Sequence, residues 1–166
     1  EKNFILASQS PQRKALLEQI GFKPSDIEPA DIDETLPDNI NPFYGPEFLA
    51  VKKAEHISKQ HKGALVIGAD TGVFLENRVL GKPKSEDNAK EMLKSLSGKT
   101  HKVITGCAIF YNGKHLSFSE ETSVEFYPLS DNEIIRYIST GEPMDKAGAY
   151  GIQAKGSLFI KGIQGD

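Results

Sequence analysis

The chain has 166 residues, of which 38% are hydrophobic and 26% are charged, and its formal net charge at pH 7 is −3. This length and composition predict a single globular domain over residues 1–166, large enough to fold around its own core without disulfides or a structural metal. The negative net charge argues against nonspecific binding to nucleic acid or anionic membranes. The single cysteine excludes an internal disulfide, and no apolar run approaches the roughly 18 residues of a membrane span. We therefore expect a cytoplasmic protein that binds neither nucleic acid nor a membrane.

The first predicted unit is a strand followed by a helix. The apolar run Phe4–Ala7 predicts a buried strand. The helix after it should have Ser10 as its N-cap and Pro11 in its first position, and it should stop at Gly21. The segment 24–46 is rich in Pro, Asp, Glu and Asn, and it is predicted to be a long acidic loop of the kind that often serves a function.

The next unit is a helix predicted at about 46–60, followed by a buried strand at 64–69 that ends at Asp70. The helix carries a core-facing apolar stripe, which consists of Pro46, Leu49, Ala50, Ala54 and Ile57. Short strands at 73–75 and 79–80 should then form a hairpin.

The rest of the chain predicts two more helices and three more strands. Ser85 caps one helix, and the capping box Ser130–Glu133 opens the other. Strands are expected at 101–111, 116–127 and 158–163. The first two should be joined at Asn112–Gly113, which is a strong hairpin signal. The alternation of strands and helices predicts an α/β fold.

Three residues conflict with their local setting, and such conflicts are typical of functional sites. Arg13 lies in the first turn of a helix, where a cation is unfavourable unless an anion binds there. Lys53 falls in the middle of an apolar stripe, and Asp70 ends a buried strand on the usual ligand side of an open α/β sheet. Each has an ordinary alternative: a surface arginine, a lysine that snorkels or pairs with a carboxylate, and a turn-capping aspartate.

Two further signals are weak when taken alone. Lys82 precedes Pro83, which restricts the backbone beside the lysine. The segment 148–153 combines glycines, which permit close approach to a ligand, with the amide of Gln153. No zinc-binding spacing, serine-hydrolase elbow or complete P-loop is present in the sequence.

The candidate residues form a set of three cations and two carboxylates: Arg13, Lys53, Lys82, Glu34 and Asp70. Cations can neutralise a polyphosphate, and carboxylates suit a hard metal ion such as Mg²⁺. One carboxylate can also serve as the base for an attacking water. The set therefore predicts phosphoryl chemistry.

Five ordered motifs resemble those of the Maf proteins, described as septum formation inhibitors and as house-cleaning nucleoside triphosphate pyrophosphatases. The motifs are LASQSPQR at 6–13, IGADT at 67–71, LGKP at 80–83, LSGKTH at 96–101 and EPMDKAGAYGIQ at 142–153. The resemblance spans essentially the whole chain. It implies a mixed, strongly twisted sheet with flanking helices and an active cleft at strand ends, as in Maf and ITPase-like folds.

The resemblance also implies hydrolysis of the bond between the α and β phosphates, assisted by Mg²⁺ or Mn²⁺. Asp70 matches the family's proton acceptor, and Glu34 matches an acidic position linked to the metal and water, so both are expected metal ligands. The expected catalytic residues are Asp70, Glu34, Lys53 and Lys82. The expected substrate-binding residues are Ser8, Ser10, Gln12, Arg13, Thr71 and Gln153.

Thr71 and Gln153 resemble the branch of dTTP/UTP pyrophosphatases, which suggests pyrimidine substrates, canonical or modified. The chain departs from the family at Gln12, where an arginine is usual, so one positive charge beside the phosphates is lost. Family members also continue past the position of Asp166, so we expect a truncated C-terminal end.

The resemblance suggests a homodimer and leaves two alternatives to the pyrimidine pyrophosphatase. One is a nucleotide-binding regulator of septum formation that acts through a protein partner. The other is a pyrophosphatase for deaminated purine triphosphates, which would need a different base pocket.

Overall fold

The computed structural model describes residues 3–166, so residues 1 and 2 of the predicted domain lie outside the description. The α-helices in this range are α1 (Pro11–Gln19), α2 (Gly45–Gln60), α3 (Glu86–Leu96) and α4 (Asp131–Ser139). The strands are β1 (Phe4–Ala7), β2 (Asp26–Ile27), β3 (Leu65–Leu75), β4 (Arg78–Leu80), β5 (Thr100–Tyr111), β6 (Lys114–Phe126) and β7 (Ile160–Gly165). None of these helices is long and apolar enough to cross a bilayer.

The strands of the described chain form one mixed sheet. Its order is β2-β1-β3-β5-β6-β7, and β4 pairs with β3 off this path. β1 is parallel to both β2 and β3, whereas the β3–β4 and β6–β7 pairs are antiparallel. The predicted α/β fold with a mixed sheet and flanking helices is thus confirmed.

The chain divides into two compact units. The first comprises residues up to 70 together with 105–119, and the second comprises 71–104 and 120–166. Each unit has its own apolar core. The first core includes Ile5, Ala54, Ile57, Val66 and Phe110. The second includes Leu93, Leu96, Phe126, Ile134, Tyr137 and Phe159.

Three helices begin at the predicted caps. The hydroxyl of Ser10 accepts a hydrogen bond from the Arg13 amide at 3.4 Å, and Pro11 occupies the first helical position. Ser85 caps α3, and Ser130 and Glu133 form a reciprocal capping box on α4. These bonds satisfy amides that have no partner within the helix, which is why polar residues at these positions predict helix starts.

The helices α1 and α2 differ in how much of their surface is buried. In α2 the predicted stripe is buried, from Pro46 to Ile57. In α1 no residue is buried, and Leu16 and Ile20 are 48% and 69% exposed. Arg13 nevertheless connects α1 to the rest of the first unit, through its hydrogen bonds to the Ser8 hydroxyl and the Ala69 carbonyl.

β3 is longer than predicted. Asp70 was expected at the end of a strand, but it lies in the middle of β3, which continues to Leu75. The parallel pairing with β1 ends where Ala7 is opposite Gly68, and antiparallel pairing with β4 begins at Val73. Gly and Asp are unfavourable in strands, but ladder hydrogen bonds keep the backbone extended while the pairing partner changes.

Other strand predictions need smaller corrections. The hairpin at Asn112–Gly113 is confirmed, and both residues have the positive φ angles, 49° and 75°, of a type I′ turn. The predicted loop at 24–46 contains β2, a two-residue strand too short to leave a period in the sequence. The last strand starts at Ile160, because residues 155–159 form a 3₁₀ turn rather than extended chain.

A histidine is buried in the core of the second unit. His101 is 1% exposed, its Nε2 lies 2.6 Å from the Tyr150 hydroxyl, and its ring packs edge-on against Phe126. Within residues 3–166, its Nδ1 has no hydrogen-bond partner. Burial lowers the pKa of His101 to about 4, because the charged ring would lose its hydration.

We predict that acid destabilises the protein through His101. The unfolded chain binds a proton at this ring near pH 6.5, whereas the folded chain does so only near pH 4. Between these values the unfolded state holds more protons, so the free energy of unfolding should fall by about 2 to 3 kcal/mol from pH 7 to pH 4.5. Urea unfolding across this range would measure the loss.

The variant His101→Gln should lack this part of the pH dependence, and the exposed His115→Gln is the matched control. The difference in unfolding free energy between wild type and His101→Gln should shrink as the pH falls. A difference that stays constant with pH would contradict the prediction.

Candidate active site

Arg13 joins the start of α1 to the middle of β3. Its Nη1 donates hydrogen bonds to the Ser8 hydroxyl at 2.9 Å and to the Ala69 carbonyl at 3.0 Å. Ser8 is buried in the turn after β1, and its hydroxyl also accepts from the Ser10 amide at 3.2 Å. The guanidinium is thus held in one place by a hydroxyl and a backbone carbonyl.

The surroundings of Arg13 favour a bound anion. Burial lowers the pKa of Arg13, while the nearby Asp70 carboxylate and Cys107 act in the opposite direction. An arginine nevertheless stays protonated in proteins. A partly buried cation at a helix N-terminus, where the macrodipole is also positive, is a favourable place for a phosphate.

Lys53 bridges two carboxylates. Its Nζ lies 2.8 Å from Asp70 Oδ1 and 3.0 Å from Glu34 Oε1. The Lys53 and Asp70 side chains are 15% and 18% exposed, whereas Glu34, on the acidic loop, is 58% exposed. A lysine in an apolar stripe was expected to snorkel, to pair with a carboxylate or to serve a site, and Lys53 pairs with two carboxylates.

The bridge depends on the close approach of α2 to β3. A Cβ built on Gly68 would lie 2.5 Å from the Ala50 carbonyl oxygen and 2.9 Å from the Ala54 nitrogen. Only glycine therefore lets the helix backbone rest on the strand at this point. Because Lys53 follows Ala50 by one turn and Asp70 follows Gly68 by two residues, the contact places their side chains together.

Lys52 also contributes to the site, although no sequence pattern distinguishes it. Its Nζ donates to the Asp33 carbonyl at 2.8 Å, and the Asp33 carboxylate accepts from the Thr35 amide at 2.9 Å. These bonds hold the backbone on both sides of Glu34. A backbone carbonyl acceptor has no signature in the sequence, so no pattern could have indicated this lysine.

Of the remaining predicted site residues, Gln12 belongs to the first unit and the other three belong to the second. Gln12 is exposed, and its Oε1 accepts from the Ser10 hydroxyl at 3.2 Å. Thr71 follows Asp70 in β3 and belongs to the second unit, as do Lys82 and Gln153. Lys82 is exposed after β4, and Gln153 is exposed on a turn.

Lys82 does influence an acidic residue within its own unit. The pKa of Asp145 is lowered mainly by the hydrogen bond from Lys146, at 2.9 Å, and to a smaller extent by the charge of Lys82.

The donor set fits a metal that brings most of its own ligands. Glu34 and Asp70 each place a carboxylate oxygen within 3.0 Å of Lys53 Nζ. The described part of the chain contains no group of three or more His, Cys, Asp or Glu side chains arranged for a metal. Mg²⁺ commonly binds through one or two carboxylates together with water and substrate phosphates, so two carboxylates suffice for such a site.

Residues 3–166 match the family described as Maf-like protein. The chain belongs to the Maf family. Among its relatives, the dTTP/UTP pyrophosphatase of Bacillus pumilus (strain SAFR-032) is 49% identical over 162 residues, which cover 98% of this chain and 85% of the relative. The dTTP/UTP pyrophosphatase of Bacillus cereus (strain G9842) is 48% identical over 165 residues, covering 99% and 86%. The resemblance stated from the motifs is thus confirmed.

Two solved structures share the fold of this Maf protein. A HAM1 protein from Coxiella burnetii superimposes with a TM-score of 0.55 at 19% identity, covering 76% of this chain and 73% of that one. The Ham1 protein of Staphylococcus aureus gives a TM-score of 0.53 at 19% identity, with 75% and 72% covered. At this identity the likeness supports the fold alone.

We predict that Gly68→Ala destabilises this Maf protein and separates Lys53 from Asp70. The added methyl would meet backbone atoms of α2, which can yield only if the helix shifts. Overpacking of this kind costs about 1 to 3 kcal/mol of unfolding free energy, measurable by urea denaturation. Gly162→Ala is the matched control, because a Cβ at Gly162 meets nothing within 4 Å. Equal stability of the two variants would contradict the prediction.

Proposed function

We propose that this Maf protein is a nucleoside triphosphate pyrophosphatase that converts dTTP or UTP, or a modified pyrimidine nucleotide, to the monophosphate and pyrophosphate. The observation that carries the proposal is the Lys53 ammonium within 3.0 Å of both Asp70 and Glu34. Further support comes from relatives named dTTP/UTP pyrophosphatase at 48 to 49% identity over nearly the whole chain. We also propose that residues 1–166 act as a single domain, since one family match covers 3–166.

In the proposed reaction, Asp70 is the base. It accepts a proton from a water whose oxygen attacks the α-phosphorus, and the bond between the α-phosphorus and the bridging oxygen breaks to release pyrophosphate. The hydrogen bond from Lys53 holds Oδ1 of Asp70 in a defined orientation. A base that is already oriented loses little conformational entropy when it accepts the proton.

The phosphates are proposed to bind at the turn between β1 and α1, with Arg13 as the main cation. The Arg13 side chain is already fixed by Ser8 and by the Ala69 carbonyl. A charge that does not need to reorganise stabilises the negative charge of the transition state most effectively. Ser10, Gln12, Lys53 and Lys82 are proposed to complete the contacts with the phosphates.

Asp70 and Glu34 are proposed to hold the divalent metal, Mg²⁺ or Mn²⁺. When bound, this ion would neutralise charge on the phosphate oxygens and orient them. The two carboxylates come from β3 and from the loop that Lys52 holds in place, so this chain supplies both from positions fixed by its own contacts.

Thr71 and Gln153 are proposed to recognise the base. A glutamine side chain both donates and accepts a hydrogen bond, which suits the edge of uracil or thymine, where carbonyl oxygens flank an N–H group. Gln12 replaces the usual arginine, so we expect Arg13 to carry more of the phosphate binding. The cytoplasmic location, the homodimer and a part in septum formation stay proposals that rest on the family resemblance.

We predict that pyrophosphate is released faster from dTTP and UTP than from ATP and GTP, and only with Mg²⁺ or Mn²⁺ present. A coupled assay for pyrophosphate over this panel, with and without a chelator, would measure the preference. Release from purine nucleotides instead would retain the chemistry and contradict the pyrimidine assignment. No release from any nucleotide would favour the alternative of a nucleotide-binding regulator.

We also predict that Asp70→Asn lowers kcat about 10² to 10⁴-fold, because an amide cannot accept the proton from water. The exposed Asp38→Asn makes the same chemical change outside the Lys53 cluster and should keep wild-type activity. Circular dichroism would establish that both variants are folded. Near wild-type turnover by a folded Asp70→Asn protein would show that another group is the base.

A further inference from the structure

Gln153 lies on a turn in the part of the second unit that leads from α4 to β7. Residues 151–156 are called here the Gln153 turn. Residues 151–154 lie outside helices and strands, residues 155 and 156 begin the 3₁₀ turn before β7, and Gln153 itself is exposed. An exposed side chain on such a turn discriminates between a pyrimidine and a purine base when its backbone is held in one position. If the backbone is mobile, the side chain can adjust to either base. The contacts that hold this turn are therefore relevant to selectivity.

Tyr137 holds the beginning of the Gln153 turn. It lies on α4, is 4% exposed and packs edge-on against Phe159, with ring centroids 4.9 Å apart. Its hydroxyl accepts a hydrogen bond from the Gly151 amide at 3.0 Å and donates one to Glu142 Oε1 at 2.8 Å. Burial raises the pKa of Tyr137, so the hydroxyl keeps the proton that it donates.

Glu142 holds the end of the same turn. Its Oε2 accepts from the Lys155 amide at 3.3 Å, and its Oε1 accepts from the Gly156 amide at 3.4 Å. One phenol and one carboxylate thus bind backbone amides on both sides of Gln153. These two side chains also bind each other, so the positions of the two ends are coupled.

The ends of the turn close around the Tyr137 hydroxyl. A Cβ built on Gly156 would lie 2.8 Å from the hydroxyl oxygen and 2.6 Å from the Gly151 carbonyl oxygen. There is no space for a side chain at this position, so the close contact needs glycine. A short segment whose ends meet in this way has the form of a compact surface loop, of a kind that is often functional.

We propose that Tyr137 and Glu142 are positioning residues for Gln153, and that by fixing both ends of residues 151–156 they set the selectivity for pyrimidine over purine nucleotides. This inference rests on the proposed function, and it adds two residues that are not expected to touch the substrate. They act on the nucleotide only through the backbone of the Gln153 turn. Their effect should therefore be on binding and selectivity rather than on the chemical step.

The test compares Tyr137→Phe with the control Tyr127→Phe. The first variant removes the hydroxyl and both of its hydrogen bonds but retains the ring that packs on Phe159. The second removes a hydroxyl from a tyrosine that is 49% exposed and lies outside the site. Hydrogen exchange of a peptide covering 151–156 reports the turn, and steady-state kinetics with UTP and ATP report its effect on the substrate.

For Tyr137→Phe we expect exchange of the 151–156 amides to become about tenfold faster, in line with the loss of about 1.4 kcal/mol. We expect KM for UTP to rise about tenfold, kcat to stay within about threefold, and the ratio of kcat/KM for UTP to that for ATP to fall about tenfold. Tyr127→Phe should match wild type in every measurement. A merely structural role for Tyr137 would lower activity on both nucleotides alike.

Glu142 gives a second series that does not depend on the tyrosine. Glu142→Ala should reproduce the loss of selectivity, and Glu142→Gln, which retains one acceptor oxygen, should restore part of it. Glu120→Ala is the control at an exposed glutamate. If neither series folds as judged by thermal unfolding, Gly156→Ala, which pushes against the Tyr137 hydroxyl, tests the same contact from the other side.

The outcomes separate the inference from the proposed function. Unchanged exchange in Tyr137→Phe overturns the role of the hydroxyl, and faster exchange with unchanged selectivity overturns the link to Gln153. An equal loss of kcat on UTP and ATP also overturns it. If wild type hydrolyses neither UTP nor dTTP, the proposed function fails, and the positioning role for base selection fails with it, while the exchange data still judge the contacts themselves.

Discussion

The candidate site depends on one contact, the direct packing of the α2 backbone on Gly68 of β3. This contact brings the middle of a core helix to the point where β3 leaves its parallel partner, and it places the Lys53 ammonium against Asp70. The acidic loop then completes the bridge through Glu34. A side chain at this position would push the helix away from the strand, and Lys53 would then lie further from Asp70.

The two partly buried cations of the first unit, Lys53 and Arg13, have polar or charged partners before any substrate binds. A partly buried lysine is tolerable here because two carboxylates accompany it, and a partly buried arginine because a hydroxyl, a carbonyl and the Asp70 charge surround it. A polyphosphate with a divalent metal would bring both negative and positive charge into this arrangement. The existing side chains can therefore serve as ready partners for both, with little rearrangement of the protein.

The second unit places polar groups in its core in a different way. Within residues 3–166, the His101 ring has one hydrogen-bond partner, the Tyr150 hydroxyl. Burial opposes a charge on the ring and so favours its neutral form. Tyr137 and Glu142, in contrast, use their hydrogen bonds to hold a turn at the surface. We therefore expect the buried His101 ring to make stability depend on pH, whereas Tyr137 and Glu142 hold the two ends of the Gln153 turn.

The sequence by itself determined the local features of this protein. Caps at Ser10, Ser85 and Ser130 marked helix starts, because a side chain that binds an amide within three residues is a short-range interaction. The α2 stripe and the Asn112–Gly113 turn could be predicted because they also depend on residues close together in the sequence. Five motifs identified the family.

Only the tertiary structure decided which distant residues meet. It showed that β3 continues through Asp70, that α1 buries no apolar face, that Lys52 holds the loop beside Glu34, and that Tyr137 and Glu142 hold the turn of Gln153. Each of these results depends on backbone groups or on strand partners far away in the chain. A sequence pattern records which side chain a position carries, but it does not record which carbonyl or amide the fold brings to that side chain.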